Sequence, residues 1–380
     1  MKTLKDIHNL KGKTVLVRLD LNVPIQNGRV TDDYRIEAAL PTLNFLHTAG
    51  ARSVLMSHIE GKGGESLHPV FEILAKNFPI HFAKDCLSDE AHRMAHRLRD
   101  GEFLLLENLR NYPGEKANDP TFAQALAAMG DIYVNEAFPV SHRSHASVVG
   151  VPQYIPGVAG FRFEEEVRQL SQAFHPPHPF VFILGGAKFD TKLPLIQKFL
   201  NVADTVFIGG ALANDCFKAQ GWTVGDSVVS EGKVNLTPII SHKKVLLPVD
   251  VVVERLHNGQ RSRFTLAPSG VQAGDKIWDV GPGTLAQLKK VLQDAQAVLW
   301  NGPLGNFEIG YTEGTTGLAR IVAESKARSI VGGGDTVAAI RDQGFADKFT
   351  FLSTGGGAML DFLVQETLPG IEALKKSEHP

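Results

Sequence analysis

The sequence has little cysteine, no long apolar run and almost no net charge, and each shortage excludes a class of protein. Its 380 residues include only Cys86 and Cys216, with no CxxC pair. A disulfide framework or cysteine-rich zinc site therefore has no basis, so we expect reduced thiols and a cytoplasmic location. No apolar run approaches the ~20 residues that span a bilayer, and the N-terminus lacks a signal peptide's apolar core. We expect no membrane association.

The charge balance and two missing motifs narrow the function further. The formal net charge is −2, whereas nucleic-acid-binding proteins usually carry a basic excess, so we expect no nucleic-acid partner. The sequence contains no GxxxxGKS/T and no GxSxG motif, which excludes a P-loop and the commonest signal of a serine hydrolase. A chain of 380 residues is too long for one ordinary core, and we expect two globular domains.

What the sequence does contain is a series of short apolar runs that alternate with helical patterns. Most are continuous rather than alternating, which is typical of strands buried on both faces of a parallel sheet. We therefore predict an α/β fold class, with two doubly wound, Rossmann-like parallel-sheet domains joined by a helix and a cleft between them. The predicted strands are Thr14–Val17, Ser53–Met56, Phe103–Leu106, Ile132–Val134, Phe180–Leu184, Thr205–Ile208, Lys244–Leu247, Ala297–Trp300, Ser329–Val331 and Thr350–Leu352.

A break in the middle of the chain indicates the domain junction. The run VPQYIPGVAG at 151–160 is rich in proline and glycine, and HPPHP at 175–179 ends the helical pattern between them. In that helical pattern, Phe163, Val167 and Leu170 share one face. We predict a first domain at 1–160, an interdomain helix at 161–174, a second domain at 175–365 and a C-terminal tail at 366–380.

Five glycine-rich turns distinguish the second half. Because glycine lets backbone N–H groups approach a phosphate and a following helix adds its positive end, the five turns together predict a nucleotide site. Each turn follows an apolar run: LGGAK at 184–188, IGGALAN at 208–214, WNGPLGN at 300–306, VGGGDT at 331–336 and STGGGA at 353–358.

The strand-end loops of the first half instead carry arginine and histidine. Guanidinium groups bind phosphate and carboxylate bidentately, so these loops predict a site for a small anion. His142 and His145 also have a spacing that would suit a metal, but no carboxylate or cysteine completes such a site. The candidate residues are Asp20, Asn22, Arg35, His58, Arg110, His142, Arg143 and His145.

In the second half, Lys188 and Lys192 flank a strand-to-helix turn and would hold a polyphosphate together with the helix end. Glu308 ends WNGPLGNFE and could accept hydrogen bonds from ribose hydroxyls. Asp335, with Thr336 at a helix start, could hold Mg²⁺ beside phosphates. One rival signal remains, because DVGPGTLA at 279–286 follows a strand and matches GxGxxA. A nicotinamide-dependent dehydrogenase is therefore a second hypothesis.

Taken in order, the motifs resemble those of the phosphoglycerate kinase family over nearly the whole chain. VRLDLNVP matches that family's VRxDxNVP signature, and further matches follow with compatible spacing: ENLR, SHRSH, GGAK, WNGPLGNFE, GGGDT and STGGGA. The resemblance implies a 3-phosphoglycerate domain followed by a nucleotide domain, and a tail that returns to the first domain. It implies the reaction 1,3-bisphosphoglycerate + ADP ⇌ 3-phosphoglycerate + ATP, with Mg²⁺, in what we expect to be a monomer.

The resemblance also implies roles for individual residues. Arg35 and Lys188 would act on the transferring phosphoryl group, and Asp335 would hold the metal. Phosphoglycerate would contact Asp20, Leu21, Asn22, Arg35, His58, Gly61, Lys62, Arg110, His142 and Arg143. The nucleotide would contact Lys188, Lys192, Gly210, Gly281, Pro303, Glu308, Gly333, Gly334, Asp335 and Thr336.

The chain departs from the family pattern in a few places. The family loop SHLGRP is SHIEGK here, so Gly61 stands at its arginine position with Lys62 next to it. Thr191 replaces an aspartate in the lysine loop. The departure at Gly61 motivates a third hypothesis, a poorly active protein that keeps the fold.

Overall fold

The computed structural model describes residues 1–61, 64–187, 189–232, 235–257 and 260–377, apart from the side chains of Asp190, Thr191 and His257. The chain forms two compact units. Unit 1 comprises Met1–Arg168 with the C-terminal residues from Gln365 onward, and unit 2 comprises Gln169–Val364. The helix expected at 161–174 is an α-helix over Phe161–Ser171 followed by a 3-10 turn over Gln172–Phe174. What each predicted domain binds stays a prediction.

Unit 1 is built on a six-stranded sheet whose neighbouring strands all run parallel, in the order β5-β6-β4-β1-β7-β8. Its central strand is buried along Val15, Leu16 and Val17, as a sheet covered on both faces requires. A short antiparallel hairpin, β2–β3, lies beside it. The strands are β1 Thr14–Arg18, β2 Ile25–Gln26, β3 Arg29–Val30, β4 Arg52–Met56, β5 Ile80–Ala83, β6 Phe103–Leu106, β7 Ile132–Asn135 and β8 Gly157–Ala159.

The helices of unit 1 connect these strands. They are α1 Tyr34–Thr48, α2 His68–Leu74, α3 Asp89–Arg97, α4 Pro113–Ala117, α5 Pro120–Ala127 and α6 Phe161–Ser171. A last helix, Pro369–Ser377, also belongs to this unit. The N–H of Gly370 donates to the carbonyl of Ser141 at 2.9 Å, and the N–H of Gly157 donates to Oγ of Ser377 at 3.1 Å. These bonds join the C-terminal helix to β8 and to the segment that follows β7.

Unit 2 contains a second six-stranded parallel sheet, in the order β11-β10-β9-β15-β16-β17, and a three-stranded antiparallel sheet, β13-β12-β14. Two parallel sheets covered by helices confirm the predicted α/β class. The strands are β9 Phe180–Leu184, β10 Thr205–Ile208, β11 Val245–Leu246, β12 Val251–His257, β13 Gln260–Leu266, β14 Lys276–Val280, β15 Ala297–Asn301, β16 Arg328–Gly332 and β17 Phe351–Leu352.

The helices of unit 2 lie between successive strands, except the last, which follows the final strand. They are α7 Phe189–Val202, α8 Ala211–Ala219, α9 Thr237–Ile240, α10 Pro282–Gln293, α11 Glu313–Glu324, α12 Gly334–Asp342 and α13 Gly357–Gln365. Within the described ranges, no helix is both long and apolar enough to span a bilayer.

Every strand predicted from the sequence overlaps a strand of the two parallel sheets, but several strands were missed. β5 and β8 lie at opposite edges of the first sheet, where short or partly polar runs suffice because one side needs no partner. β8 falls inside the run interpreted as a break. β13 reads QRSRFTL and is almost fully exposed, so it carries no apolar signal. The antiparallel sheet was therefore not expected.

One long-range contact secures the start of α10. The carboxylate of Asp250 accepts from the N–H groups of Gly283 at 2.8 Å and Thr284 at 2.7 Å, and from Oγ1 of Thr284 at 2.7 Å. It thus satisfies N–H groups that have no partner within the helix.

We expect Asp250→Ala to lower the free energy of unfolding by about 1–2 kcal/mol, because these donors lose their acceptor. Chemical denaturation would measure the change. Asp294→Ala is the matched control: this exposed aspartate follows the other end of the same helix, where a carboxylate does not favour the helix dipole. Equal losses from the two variants would contradict the capping role.

Candidate functional site

In unit 1 the predicted anion-binding residues follow four neighbouring strands. Asp20 follows β1, His58 follows β4, Arg110 follows β6, and His142 with Arg143 follows β7. These strands are adjacent and parallel in the sheet. Their carboxyl ends therefore meet at one edge, which is where ligands bind in open α/β sheets.

The centre of this edge is Arg18, which the sequence reasoning missed. Its guanidinium is fully buried, donates from Nε to Oγ of Ser147 at 2.8 Å and contacts the carbonyl of Leu19. The buried carboxylate of Glu115 accepts from Oγ of the same Ser147 at 2.6 Å and from its N–H at 2.9 Å. A buried charge needs such partners. An arginine inside the apolar run VLVRL was the signal available in the sequence.

His58 lies directly on this buried arginine. Its Nδ1 is 3.2 Å from Nη2 of Arg18, and because a guanidinium can only donate, Nδ1 is the acceptor and the imidazole proton is on Nε2. Burial, and next the charge of Arg18, holds the pKa of His58 well below its usual value. For His145, burial followed by the charge of Arg110 lowers the pKa to about 4. Both rings are neutral at pH 7, so the arginines supply the positive charge of the site.

Three further arginines surround this centre. Arg35 forms an ion pair with Asp20. Nη1 of Arg143 donates to Oε1 of Glu60 at 2.8 Å, and Nη2 of Arg110 is 3.6 Å from the same oxygen. Burial, then repulsion from Arg143, lowers the pKa of Arg110, as expected for two cations sharing one site.

The remaining predicted residues of unit 1 lie around the same edge. Nε of Arg143 is 3.3 Å from Nε2 of His142, and Oδ1 of Asn22 accepts from the N–H of Glu60 at 2.9 Å. The N–H of Leu21 donates to Oγ of Ser57 at 2.9 Å. Gly61 comes next in the loop, whereas Lys62 lies outside the described residues.

In unit 2, four of the five glycine-rich turns contribute residues to the lining of a cleft of about 270 Å³; within the described part of the chain, the turn at 353–358 does not. Of the predicted nucleotide residues, Gly210, Pro303, Glu308 and Asp335 line it. Those not in its lining are Lys192, Gly281, Gly333, Gly334 and Thr336. Lys188 lies outside the described residues.

The turns that border the cleft leave no room for side chains. A Cβ atom on Gly210, whose φ is +59°, would lie 2.6 Å from the backbone nitrogen of Gly186. A Cβ on Gly302, whose φ is +91°, would lie 2.5 Å from the carbonyl oxygen of Gly185. Only glycine fits these positions, because the turns at 185–186, 210 and 302 lie backbone against backbone.

Lys192 supplies a cation beneath one of these turns. It lies in the first turns of α7, is 9% exposed, and its Nζ donates to the carbonyl of Gly185. A Cβ on Gly186 would lie 2.6 Å from that Nζ. Burial lowers the pKa of Lys192 to about 8. The ammonium is thus held behind backbone that faces the cleft.

The opposite wall of the cleft is apolar. It includes Ala213, Phe217, Val251, Ile277 and Trp278, the last two from β14 of the antiparallel sheet. An apolar wall facing glycine-rich backbone suits a ligand with a flat base at one end and phosphates at the other.

Aromatic stacking holds the loop that carries Glu308. The ring of Tyr311 stacks on Trp278 at 5.8 Å, and the guanidinium of Arg263 lies 4.0 Å from the centre of the same tyrosine ring. The N–H of Asn306 donates to the carbonyl of Trp278 at 2.9 Å. These contacts attach the loop to the antiparallel sheet.

The rival dehydrogenase interpretation is wrong. The GxGxxA match begins at Gly281, immediately after β14, and β14 pairs antiparallel with β12. A dinucleotide fingerprint needs a parallel strand that opens a βαβ unit, and this position does not provide one.

Asp335 lies in the first turn of α12, is exposed and lines the cleft. Among the described side chains, no group of three or more His, Cys, Asp and Glu could hold a metal by itself. A cation at Asp335 would therefore need ligands from a bound anion, as Mg²⁺ does when it binds one carboxylate and phosphate oxygens.

The fold and its two sites define an α/β protein of two units, one with an arginine-rich strand edge and one with a glycine-lined cleft. A family model described as phosphoglycerate kinase matches residues 4–366. The phosphoglycerate kinase of Moorella thermoacetica is 44% identical over 387 residues, with 98% of each chain covered. The chain belongs to the phosphoglycerate kinase family.

Solved structures agree with this assignment. The phosphoglycerate kinase from Coxiella burnetii is 35% identical, with a TM-score of 0.83 and 98% of both chains covered. The phosphoglycerate kinase from Pyrococcus horikoshii is 30% identical, with a TM-score of 0.86, and the match covers 100% of this chain and 99% of that one.

The buried ammonium of Lys192 should destabilise the free protein. Because its folded pKa is about 8, the unfolded chain binds this proton more tightly, and stability rises with pH between 8 and the ordinary lysine pKa near about 10.4. Below pH 8 the full penalty is present. We expect Lys192→Met to raise the free energy of unfolding at pH 7 by about 1–3 kcal/mol and this gain to shrink toward pH 10.

Denaturation at several pH values would measure this gain. The exposed Lys326 gives a control, since Lys326→Met should leave stability nearly unchanged. A loss of stability in Lys192→Met at pH 7 would show that the ammonium is well solvated or well paired.

Proposed function

We propose that this chain catalyses the reversible transfer of a phosphoryl group between 1,3-bisphosphoglycerate and ADP, giving 3-phosphoglycerate and ATP. Membership of the phosphoglycerate kinase family supports the reaction class. The observation that carries the proposal is chemical: unit 1 offers guanidinium groups to a small, highly charged anion, and unit 2 offers a cleft of glycine-rich backbone and apolar side chains to a nucleotide.

In unit 1, Arg35, Arg110 and Arg143 bind the phosphate and carboxylate of phosphoglycerate. The neutral ring of His58 keeps an Nε2 proton and acts as a donor, and His142 lies in the same loop as Arg143. The short polar groups of Asp20 and Asn22, with the backbone of Leu21, orient the glycerate hydroxyl. Gly61 and Lys62 complete the loop, the lysine acting as a point charge where the family pattern has arginine.

In unit 2, the amides of Gly210, Gly333 and Gly334 and the start of α12 at Thr336 bind phosphates. Glu308 accepts from the ribose hydroxyls, and Gly281 and Pro303 border the base and sugar. Lys192 neutralises the nucleotide phosphates. Their negative charge in turn stabilises its buried ammonium. Lys188 stabilises the phosphoryl group in transit, together with Arg35.

Asp335 fits a magnesium ion, since it supplies one carboxylate at a cleft lined by phosphate-binding backbone. When bound, Mg²⁺ would neutralise phosphate charge. The protein's own residues contribute binding, orientation and exclusion of water, which is most of what phosphoryl transfer requires. We further propose that the chain works as a monomer in the cytoplasm. The buried, unpaired Cys86 and Cys216 are consistent with a reducing compartment.

A coupled assay tests the proposal. Purified protein with ATP, Mg²⁺ and 3-phosphoglycerate should form an acyl phosphate that an auxiliary dehydrogenase reduces with NADH. ADP should bind saturably in the absence of the other substrate, whereas NADH should not. Absence of turnover in a folded sample that binds both substrates would favour the poorly active alternative.

We expect Lys188→Ala to lower kcat by about 10²–10³-fold and to weaken ADP binding far less, because its charge is needed chiefly in the transition state. Steady-state kinetics and ADP calorimetry would separate the two effects. Lys289→Ala removes an exposed lysine of the same unit and should change neither. Parallel losses in kcat and ADP affinity would contradict a role in transit.

A further inference from the structure

Glu60 places a carboxylate on the arginines of unit 1. Its Oε1 accepts from Nη1 of Arg143 at 2.8 Å and lies 3.6 Å from Nη2 of Arg110. The side chain of Glu60 is 49% exposed, whereas that of Arg110 is only 10% exposed. The hydrogen bond from Arg143, and next the charge of that arginine and of Arg110, lowers the pKa of Glu60. The carboxylate is therefore ionised at neutral pH.

The backbone around Glu60 is fixed on two sides. Its N–H donates to Oδ1 of Asn22 at 2.9 Å, and the N–H of Ile59 donates to Oδ1 of Asn108 at 3.1 Å. The loop thus holds the carboxylate close to both guanidinium groups.

The two guanidinium groups have more hydrogen-bonding capacity than Glu60 uses. Within the described part of the chain, Nε and Nη2 of Arg110 have no hydrogen-bond partner although both atoms are buried. A ligand with several acceptor oxygens could satisfy these donors, and one carboxylate oxygen at 3.6 Å does not. Arg110 is therefore incompletely neutralised by this contact.

We propose that Glu60 is an internal competitor for the arginine pair Arg110–Arg143, and that it selects for ligands with more than one anionic group. This inference rests on the proposed function of the site. A ligand that offers only a carboxylate displaces the carboxylate of Glu60 from the arginines. One carboxylate then replaces another, and little binding free energy is gained. A ligand that adds a phosphate brings more charge and three acceptor oxygens, and it displaces Glu60 with a net gain.

The loop that carries Glu60 departs from the pattern SHLGRP at Glu60 and at Gly61. Glu60 stands where the related loop pattern SHLGRP has a glycine, and glycine has no side chain to occupy the arginines. The same loop has lost the arginine of that pattern at Gly61. The site therefore has one anion more than that pattern, and this change weakens the binding of small monoanions.

Glu60→Gln and Glu60→Ala test the proposal by calorimetry with 3-phosphoglycerate, glycerate and sulfate as probes. We expect each variant to bind 3-phosphoglycerate about three- to tenfold more tightly, and glycerate and sulfate to gain at least as much. The gain should shrink as ionic strength rises, because the contact is half exposed. The dissociation constant of ADP should stay within about twofold and serves as an internal reference.

Glu72→Gln is the matched control, since this exposed glutamate of α2 pairs with His68 rather than with the arginines. It should leave all affinities unchanged. Unchanged or weaker binding of sulfate and 3-phosphoglycerate in both Glu60 variants would overturn the inference. If the wild-type chain failed to bind 3-phosphoglycerate, the proposed function would fail, and the sulfate measurement would still decide whether Glu60 competes for the arginines.

Discussion

Parallel strand pairing is the constraint on which both sites depend. In the six-stranded sheet of each unit, neighbouring strands run in the same direction, so the loops that leave their carboxyl ends gather at one edge. Residues as distant in sequence as Asp20 and Arg143 are brought to one cluster in this way, and so are the turns at Gly186, Gly210 and Pro303. The chemistry of each site then depends chiefly on what the loops carry, guanidinium groups in unit 1 and glycine-rich backbone in unit 2, where β14 of the antiparallel sheet adds apolar side chains.

Both sites contain buried charged side chains, whose burial lowers the stability of the folded protein. Arg18 is fully buried and is tolerated because Ser147 links it to the equally buried Glu115. Lys192 is nearly buried with a lowered pKa and has one backbone carbonyl as its acceptor. Buried positive charge of this kind favours binding of anions over stability of the free protein, and such a trade is common at functional sites.

The sequence predicted the structural features that have a strong local signal and missed those that depend on packing. Continuous apolar runs located ten of the twelve strands described in the two parallel sheets, and glycine-rich turns indicated the cleft. The antiparallel sheet was missed because β13 is polar and exposed, so its sequence carries no apolar signal of its pairing with β12. Arg18 and Glu115 were missed because a strand arginine and a helix glutamate attract notice only when both prove to be buried. The contact of Glu60 with two arginines depends on loop geometry that no local pattern encodes.

Reciprocal binding measurements test the central claim, that guanidinium groups of unit 1 and the glycine-lined cleft of unit 2 bind different ligands. Calorimetry would follow 3-phosphoglycerate and ADP on Arg110→Met and Lys192→Met. We predict that Arg110→Met weakens the binding of 3-phosphoglycerate at least about tenfold and leaves the binding of ADP unchanged, because each charge-assisted bond contributes about 1.5–3 kcal/mol. Lys192→Met should weaken the binding of ADP and leave the binding of 3-phosphoglycerate unchanged. A variant that weakened both ligands equally, or neither, would contradict this division of the two sites.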